Sequence, residues 1–369
     1  MNNNITGQIN PARLKNLLKA LVDIYSPSGK EEEILEYLED YLKQNGLFVV
    51  RQKIDENRYN LLVLPENEDE IDVLYIGHVD TVSAYDLDNF GFTEQGDIIR
   101  GLGTADMKAG CAAMIEAFTV LASRGRAPDK VALALVSGEE EDNSGARELM
   151  KQYNFPWALI GEPSNLVPCL GHYAYLEVIL RTQGKRAHSA TPEQGHNAIE
   201  SMLKMLLKFT SYAADNKHGL VYNLRELSGF PGGFVVPDAC EAYLDIHLPP
   251  NSRIDVIKAE LEQMVQSSMK ENHGMDASLW FEDTYSGYRI AGERTIVQKL
   301  QSVLTELKLP WEPQDFRSHS DANILWTAGV DSIILGPGRL EDAHSPNESV
   351  TFSQTLKAAE VYLKFAQSL

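Results

Sequence analysis

Residues 71–80 read IDVLYIGHVD, an apolar run that ends in a histidine and an aspartate. A run of this length and texture predicts a buried parallel strand. His78 then follows the strand at the edge where open α/β sheets hold their ligands. Imidazole is the commonest metal-ligating side chain, and the Asp80 carboxylate could hold its second ring nitrogen. A histidine that is hydrogen-bonded for structural reasons fits this short pattern at least as well. Other stretches of the sequence must therefore decide whether His78 binds a metal.

Composition limits the classes of protein that this chain can belong to. Its 369 residues are enough for two domains, and its charged fraction of 23% is ordinary for a globular protein. The net charge of −20 argues against binding to nucleic acid or to an anionic membrane surface, which needs clustered Lys and Arg. No apolar window is long enough to span a membrane.

The cysteines and the start of the chain indicate the compartment. Cys111, Cys169 and Cys240 are scattered and form no CxxC pair, so neither a disulfide framework nor a thiolate zinc site is predicted. Residues 1–6, MNNNIT, lack the charged and apolar regions of a signal peptide. We therefore expect a cytoplasmic protein.

The pattern of elements predicts an α/β fold, with a mixed, mostly parallel sheet and helices on both faces. Short apolar runs recur at 71–77, 131–137, 157–161 and 332–336, and helical spacing is present at about 11–24, 30–45 and 107–123.

The texture of the sequence changes near Tyr173. Residues 176–181 alternate as a half-exposed antiparallel strand would, and helical segments follow at about 195–213 and 253–271, with a strand at 239–248 between them. We expect a small α+β sandwich over residues 173–286, inserted into a larger domain formed by residues 1–172 and 287–369.

Four more stretches add acids and a histidine. Three of these stretches follow or adjoin predicted strand ends. The acidic run at 137–142 begins directly after a buried strand, and adjacent carboxylates in such a place need a cation or a proton. Asp106 alone would be read as a helix cap. The stretches are GLGTADMKAG at 101–110, SGEEED at 137–142, IGEP at 160–163 and AHSPNE at 343–348.

Two histidines with several carboxylates suit a hard or borderline divalent ion, in first place Zn²⁺, with Co²⁺ and Mn²⁺ as alternatives. A carboxylate between two sites can bridge two ions about 3.5–4 Å apart. The chemistry of the residues does not separate Glu139, Glu140 and Glu141, which compete for two roles.

The chain resembles the M20 family of metallopeptidases and deacylases over nearly its whole length. Five motifs carry the resemblance, in this order: GHVDTV, GLGTADMKAG, SGEEED, GEPSN and AHSPNES. The similarity is greatest to the branch of acetylornithine deacetylase, acetyl-lysine deacetylase and succinyl-diaminopimelate desuccinylase. It implies a zinc-peptidase-like catalytic domain with an inserted dimerisation or lid domain.

The resemblance implies a role for each motif residue. One ion would be held by His78 and Glu162, the other by Glu140 and His344, and Asp106 would bridge them. Asp80 would orient His78, Glu139 would be the general base, and Glu141 would be exposed or lie behind the ligands. The peptide bond after Asp106 is expected to be cis.

The activity that this resemblance implies is hydrolysis of an amide by a water that the metals activate, with Glu139 taking the proton. The substrate would be an N-acyl, above all N-acetyl, amino acid such as acetylornithine, acetyl-lysine or acetylcitrulline, in arginine or lysine biosynthesis. The alternatives are succinyl-diaminopimelate desuccinylase and a di- or aminopeptidase of the same family. A scaffold protein derived from the fold would be expected to lack the base.

Three further residues are candidates for contact with the substrate. By resemblance, His188 would donate to the oxyanion, often in the partner subunit, and the chain would form a homodimer through the inserted domain. Asn323 and Arg339 are predicted to bind the substrate carboxylate.

The chain departs from the family pattern at GHYAY (171–175), at DIHLPP (245–250) and at His319. These positions are expected near the acyl and side-chain pockets, so they leave the identity of the substrate open.

Overall fold

The computed structural model describes residues 8–65, 70–123, 130–215, 218–230, 232–272 and 274–369. Residues 1–6, on which the prediction about a signal peptide rests, lie outside them. The chain divides into two compact units. Unit 1 comprises Met1–Leu170, Ile290–Phe316 and Ser320–Leu369, and unit 2 comprises Gly171–Arg289 and Arg317–His319.

The helices, in chain order, are α1 Pro11–Asp23, α2 Glu32–Gln44, α3 Ala109–Ser123, α4 Ser144–Gln152, α5 Ala198–Ala214, α6 Ile254–Glu271, α7 Thr295–Glu306, α8 Asp321–Thr327 and α9 Phe352–Ser368. The strands are β1 Val50–Lys53, β2 Tyr59–Val63, β3 Val73–His78, β4 Thr93–Gln95, β5 Ile98–Arg100, β6 Val131–Val136, β7 Trp157–Pro163, β8 Cys169–His172, β9 Ala174–Gln183, β10 Val221–Phe230, β11 Ala239–Leu248, β12 Asp276–Tyr285, β13 Tyr288–Arg289, β14 Gln314–Phe316, β15 Asp331–Gly336 and β16 Ser349–Thr351. None of the described helices has the length and apolar content needed to cross a bilayer.

Unit 1 is built on a sheet with the strand order β1-β2-β6-β3-β7-β15-β8. The four strands β6, β3, β7 and β15 run parallel, whereas β2 and β8 are antiparallel to their neighbours. Every residue of β3 and β6 is buried, as the apolar runs predict for a sheet covered on both faces. The predicted mixed, mostly parallel sheet is therefore confirmed.

Helix α3 packs tightly against this sheet. All of its residues from Ala109 to Leu121 are buried, and a Cβ added to Gly110 would lie 2.2 Å from the carbonyl oxygen of Gly161 in β7. Only glycine permits this approach. The helix begins two residues later than predicted, because Asp106 and Met107 have non-helical dihedrals; the peptide bond between them is cis, as predicted.

Unit 2 contains a four-stranded antiparallel sheet with the strand order β10-β11-β9-β12. Alternate residues of β9 and β11 are buried against α5 and α6, which gives the unit its own apolar core. The order of elements, β9-α5-β10-β11-α6-β12, repeats a strand–helix–strand unit. Edge strand β10, which no sequence pattern predicted, is exposed along almost its whole length.

Candidate metal centre

The parallel strands of unit 1 bring the motif residues to one edge of the sheet. His78 ends β3, Glu139 and Glu140 follow β6, and Glu162 lies near the end of β7. Strands β6, β3 and β7 are neighbours, and their carboxyl ends point the same way. Residues far apart in sequence therefore meet at the edge where such sheets hold their ligands.

The ring of His78 is buried and has a defined orientation. Its Nδ1 lies 3.0 Å from the backbone carbonyl oxygen of Asp80, so Nδ1–H donates there, and in the neutral imidazole Nε2 carries the free electron pair. That Nε2 faces three carboxylates, at 3.2 Å from Asp106 Oδ1, 3.6 Å from Glu162 Oε1 and 3.8 Å from Glu139 Oε2. A lone pair among carboxylate oxygens is the environment of a cation.

The carboxylate of Asp106 lies between two histidines. Oδ1 faces His78, while Oδ2 is 3.5 Å from Nε2 of His344. Each oxygen of one carboxylate is thus directed to a different imidazole. This is the arrangement that a bridging ligand requires.

His344 and Glu140 complete the second side of this arrangement. Nε2 of His344 is 2.9 Å from Oε2 of Glu140, and the hydroxyl of Tyr85 donates to the backbone oxygen of His344 at 2.7 Å. The His344 side chain is 48% exposed, in contrast to that of His78, which is 1% exposed. The second side of the group therefore has access to solvent.

The electrostatics of the cluster call for added positive charge. The four carboxylate side chains are at most 9% exposed. Burial raises the pKa of Glu139 and of Glu162 well above its ordinary value. Burial lowers the pKa of His78, but Asp106, Glu139 and Glu162 raise it well above its usual range. A bound cation would relieve this conflict, because it favours ionised carboxylates and a neutral imidazole.

The donor atoms fit a pair of divalent ions. In each of three groups, the ligand atoms lie within 4.8 Å of one another, and the donors are the imidazole and carboxylate groups that Zn²⁺, Mn²⁺ and Co²⁺ accept. The groups are His78/Asp106/Glu162, Asp106/Glu140/His344 and His78/Glu139/Glu140. The first two share Asp106.

The three adjacent glutamates have different surroundings. Glu140 contacts His344, Glu139 faces His78, and Glu141 is exposed. Because Glu139 also belongs to one of the three groups, geometry alone permits both it and Glu140 to ligate. The division into one base and one ligand stays a prediction.

The Asp80 carboxylate holds the segment that carries two of these glutamates. Its Oδ1 accepts the Glu139 N–H at 3.2 Å, and its Oδ2 accepts the Glu140 N–H at 3.1 Å and the Ser28 hydroxyl at 2.7 Å. Oδ1 lies 3.7 Å from Nδ1 of His78, farther than the backbone oxygen of the same residue. The backbone of Asp80 thus makes the shorter contact with the ring.

Three other predicted residues belong to none of the three metal-ligand groups. His188 is exposed in unit 2, where its Nδ1 accepts the Ala190 N–H. Asn323 is buried in the cap of α8, and its Oδ1 accepts the Ser320 N–H at 3.3 Å. The Arg339 side chain is 58% exposed and pairs with Glu341 at 3.5 Å. Their roles towards substrate stay predictions.

Sequence reasoning gave no role to the buried carboxylates of Asp321 and Glu348 in unit 1. Asp321 accepts from the Asn143 side chain at 3.0 Å, and burial raises its pKa to about 6. Glu348 accepts three backbone N–H groups. Glu348 lies in the stretch 343–348 and Asp321 lies between His319 and Asn323, but neither carboxylate follows an apolar run, so no pattern indicated their burial.

A metal titration tests the cluster. For protein stripped with a chelator, a divalent ion at 100 times its Kd should raise the free energy of unfolding by about 2.7 kcal/mol, because the ion binds only the folded state. His344→Ala should reduce this gain, as measured by thermal unfolding with and without Zn²⁺. His218→Ala is the control, since His218 pairs with Glu260 at 2.7 Å in unit 2. Equal metal-induced stabilisation of the His344→Ala and wild-type proteins would contradict the assignment.

Comparisons with known proteins agree with this geometry. Among curated proteins, an acetylornithine deacetylase of Pasteurella multocida is 29% identical over 337 residues, which are 85% of this chain and 85% of that protein. A peptidase M20 domain-containing protein of Schizosaccharomyces pombe is 27% identical over 95% of this chain and 83% of its own. A tripeptidase from Staphylococcus aureus has a similar structure, with a TM-score of 0.80 at 23% identity, over 98% of this chain and 99% of that one.

The last of these likenesses shows the fold alone, because the identity is low. Residues 74–368 match the sequence profile of peptidase family M20/M25/M40, which covers most of the chain and includes the whole cluster at the sheet edge. The chain therefore belongs to peptidase family M20/M25/M40, a family of metallohydrolases.

Proposed function

We propose that this chain is an N-acyl-amino-acid deacylase that hydrolyses an amide bond with the help of two divalent metal ions. The observation that carries the proposal is the placement of the Asp106 carboxylate, one oxygen towards His78 and the other towards His344. A single-ion site does not need a carboxylate shared in this way. Glu139 lies at the same edge of the sheet, 3.8 Å from Nε2 of His78, and it is not needed to complete the two groups that share Asp106.

Five residues would hold the ions. His78 and Glu162 would bind one, Glu140 and His344 the other, and Asp106 would bridge them. When bound, the ions would supply Lewis acidity, which makes water easier to deprotonate and polarises the acyl oxygen. Zn²⁺ fits this donor set best, and Co²⁺ and Mn²⁺ fit it too.

Glu139 would move the proton. Its carboxylate would accept a proton from the attacking water and then donate that proton to the amine nitrogen as the amide bond breaks. The side chain is buried, so solvent water does not compete for that proton. The two Asp80 hydrogen bonds to the Glu139 and Glu140 amides would fix both side chains relative to each other.

Replacing Glu139 should separate catalysis from metal binding. Glu139→Gln should lower kcat/KM about 10²–10⁴-fold, the usual contribution of a positioned base, while the protein still binds two ions. Glu141→Gln is the matched control, because Glu141 is the exposed neighbour and should leave both properties unchanged. Unchanged hydrolysis by Glu139→Gln would show that another group takes the proton. Loss of an ion in that variant would instead make Glu139 a ligand.

The substrate that we propose is an N-acetyl amino acid with a basic or neutral side chain, as in acetylornithine, acetyl-lysine or acetylcitrulline. The motif resemblance and the similarity to an acetylornithine deacetylase support this class. Such a reaction would be a step in arginine or lysine biosynthesis. A di- or aminopeptidase, or a desuccinylase acting on succinyl-diaminopimelate, would use the same chemistry on another substrate.

A panel of substrates distinguishes these possibilities. We expect the largest kcat/KM on an N-acetyl amino acid, measured beside succinyl-diaminopimelate and simple dipeptides under one set of conditions. One methylene of the acyl group changes binding by about 1–3 kcal/mol, and an unpaired carboxylate by more, so the acetyl and succinyl substrates should differ clearly. A larger kcat/KM on dipeptides than on every acyl amino acid would overturn the deacylase proposal in favour of a peptidase.

We also propose that the chain forms a homodimer through unit 2. Among the strands that the structure describes, edge strand β10 pairs with β11 alone, and it exposes Leu224 and Leu227. Helix α5, which packs on β10, exposes Leu203 and Leu207, the latter at 68%. Unpaired edges and apolar patches of this kind are normally covered, and a second copy would cover both. The proposal includes a contact of His188 with the substrate, either in its own subunit or in the partner subunit of the dimer.

The dimer can be tested by sedimentation velocity at working protein concentration. We expect a dimer for the wild-type chain and a monomer for the double variant Leu207→Asp/Leu227→Asp, because two charges would be buried in the interface. Leu87→Asp is the control, since Leu87 is a 63%-exposed leucine of unit 1. A wild-type monomer would contradict the proposal, and so would a double variant that remains dimeric.

A further inference from the structure

Glu348 is a buried carboxylate that binds backbone amides instead of a cationic side chain. It is 3% exposed. Its Oε1 accepts the N–H groups of Ala105 and Asp106 at 2.8 and 3.0 Å, and its Oε2 accepts the Gly103 N–H at 2.9 Å. Hydrogen bonds to an ionised acceptor are stronger than those between neutral groups.

These amides belong to the segment that presents Asp106. Gly103 has φ +78°, and a Cβ there would lie 2.7 Å from Cγ2 of Thr81. The dihedrals of Asp106 are not helical either. The segment therefore lies outside the regular hydrogen bonding of α3, and its buried N–H groups need an acceptor from elsewhere. Glu348 supplies that acceptor for three of them.

Glu348 also belongs to the segment that presents His344. It follows His344 by four residues, and its own N–H donates to the carbonyl oxygen of Ser345 at 3.2 Å. Its carbonyl oxygen accepts the Gly101 N–H at 3.4 Å. Glu348 thus joins the segment of Asp106 to the segment of His344. Both residues belong to one metal-ligand group, in which Nε2 of His344 lies 3.5 Å from Oδ2 of Asp106.

We propose that Glu348 is a positioning residue for the group formed by Asp106, Glu140 and His344. Glu348 is not itself proposed as a metal ligand. Its hydrogen bonds fix the peptide groups that precede the Asp106 side chain, and its own backbone connects this segment to the turn that follows His344. This inference rests on the proposed dimetal function. Residues that hold metal ligands in place by hydrogen bonds, without binding the metal themselves, typically contribute 10–100-fold to metal affinity or activity.

The test variant is Glu348→Gln, which keeps the size of the side chain. Its amide has one oxygen, and its NH₂ group would face an N–H donor, so at least one of the three hydrogen bonds is lost. Metal-free protein is titrated with Co²⁺ and followed by visible absorbance, which reports coordination without any turnover. We expect one binding step to weaken 10–100-fold. His344→Ala, titrated in parallel, identifies which step belongs to that group.

The control is Glu116→Gln. Glu116 is a fully buried glutamate on α3 that accepts the Asn10 N–H at 2.7 Å and pairs with Arg13. Loss of its charge perturbs a buried network that contains no metal-ligand candidate. Its Co²⁺ affinity should stay at the wild-type value, even if its thermal unfolding temperature falls as much as that of Glu348→Gln.

Each outcome decides between the two proposals. Wild-type protein that binds no divalent ion would overturn the dimetal function, and this inference with it. If Glu348→Gln binds two ions with unchanged affinity, this inference alone is overturned. The same holds if Glu116→Gln loses as much Co²⁺ affinity as Glu348→Gln does. Should Glu348→Gln fail to fold, Glu348→Asp keeps the charge but shortens the reach and should show the same loss. Failure of both variants to fold would make Glu348 a general folding residue instead.

Discussion

The structure of unit 1 depends on one constraint, which is the concentration of carboxylates at a sheet edge with little access to water. Asp106, Glu139, Glu140 and Glu162 converge on two imidazoles, and their side chains are nearly buried. Such a group is costly unless positive charge compensates it. The fold therefore makes a site whose own electrostatics favour cations, and the central carboxylate is the one placed to serve two of them.

The segments that carry the candidate ligands and the candidate base are held through backbone hydrogen bonds. Asp80 accepts the amides of Glu139 and Glu140, and Glu348 accepts the amides that lead into Asp106. In both cases a second carboxylate accepts hydrogen bonds from the backbone of the residues that form the cluster. This arrangement adds negative charge near the cluster, and the backbone N–H groups that donate to Asp80 and Glu348 offset part of it.

How far the sequence predicts the site depends on where each residue lies. His78, Glu162 and the run of glutamates at 139–141 could be found because each follows or ends an apolar run, and parallel strands bring such positions together. The pairing of Glu140 with His344 could not be worked out from spacing, and needed the family resemblance. Glu348 was missed because periodicity reports burial in helices and strands only. Strand β10 was missed for a related reason, since an exposed edge strand has no alternation.

The departures from the family pattern have an explanation within unit 2. His319 packs against the rings of both Tyr175 and Tyr285, with centroids 4.8 and 4.9 Å away and small angles between the ring planes. The Tyr175 hydroxyl donates to Asp245, and the same ring contacts His247 at 5.3 Å. Residues that looked like independent changes in the sequence therefore contact one another as one aromatic cluster. Because each ring is packed against the next, a change of size at one ring would disturb the packing of the others.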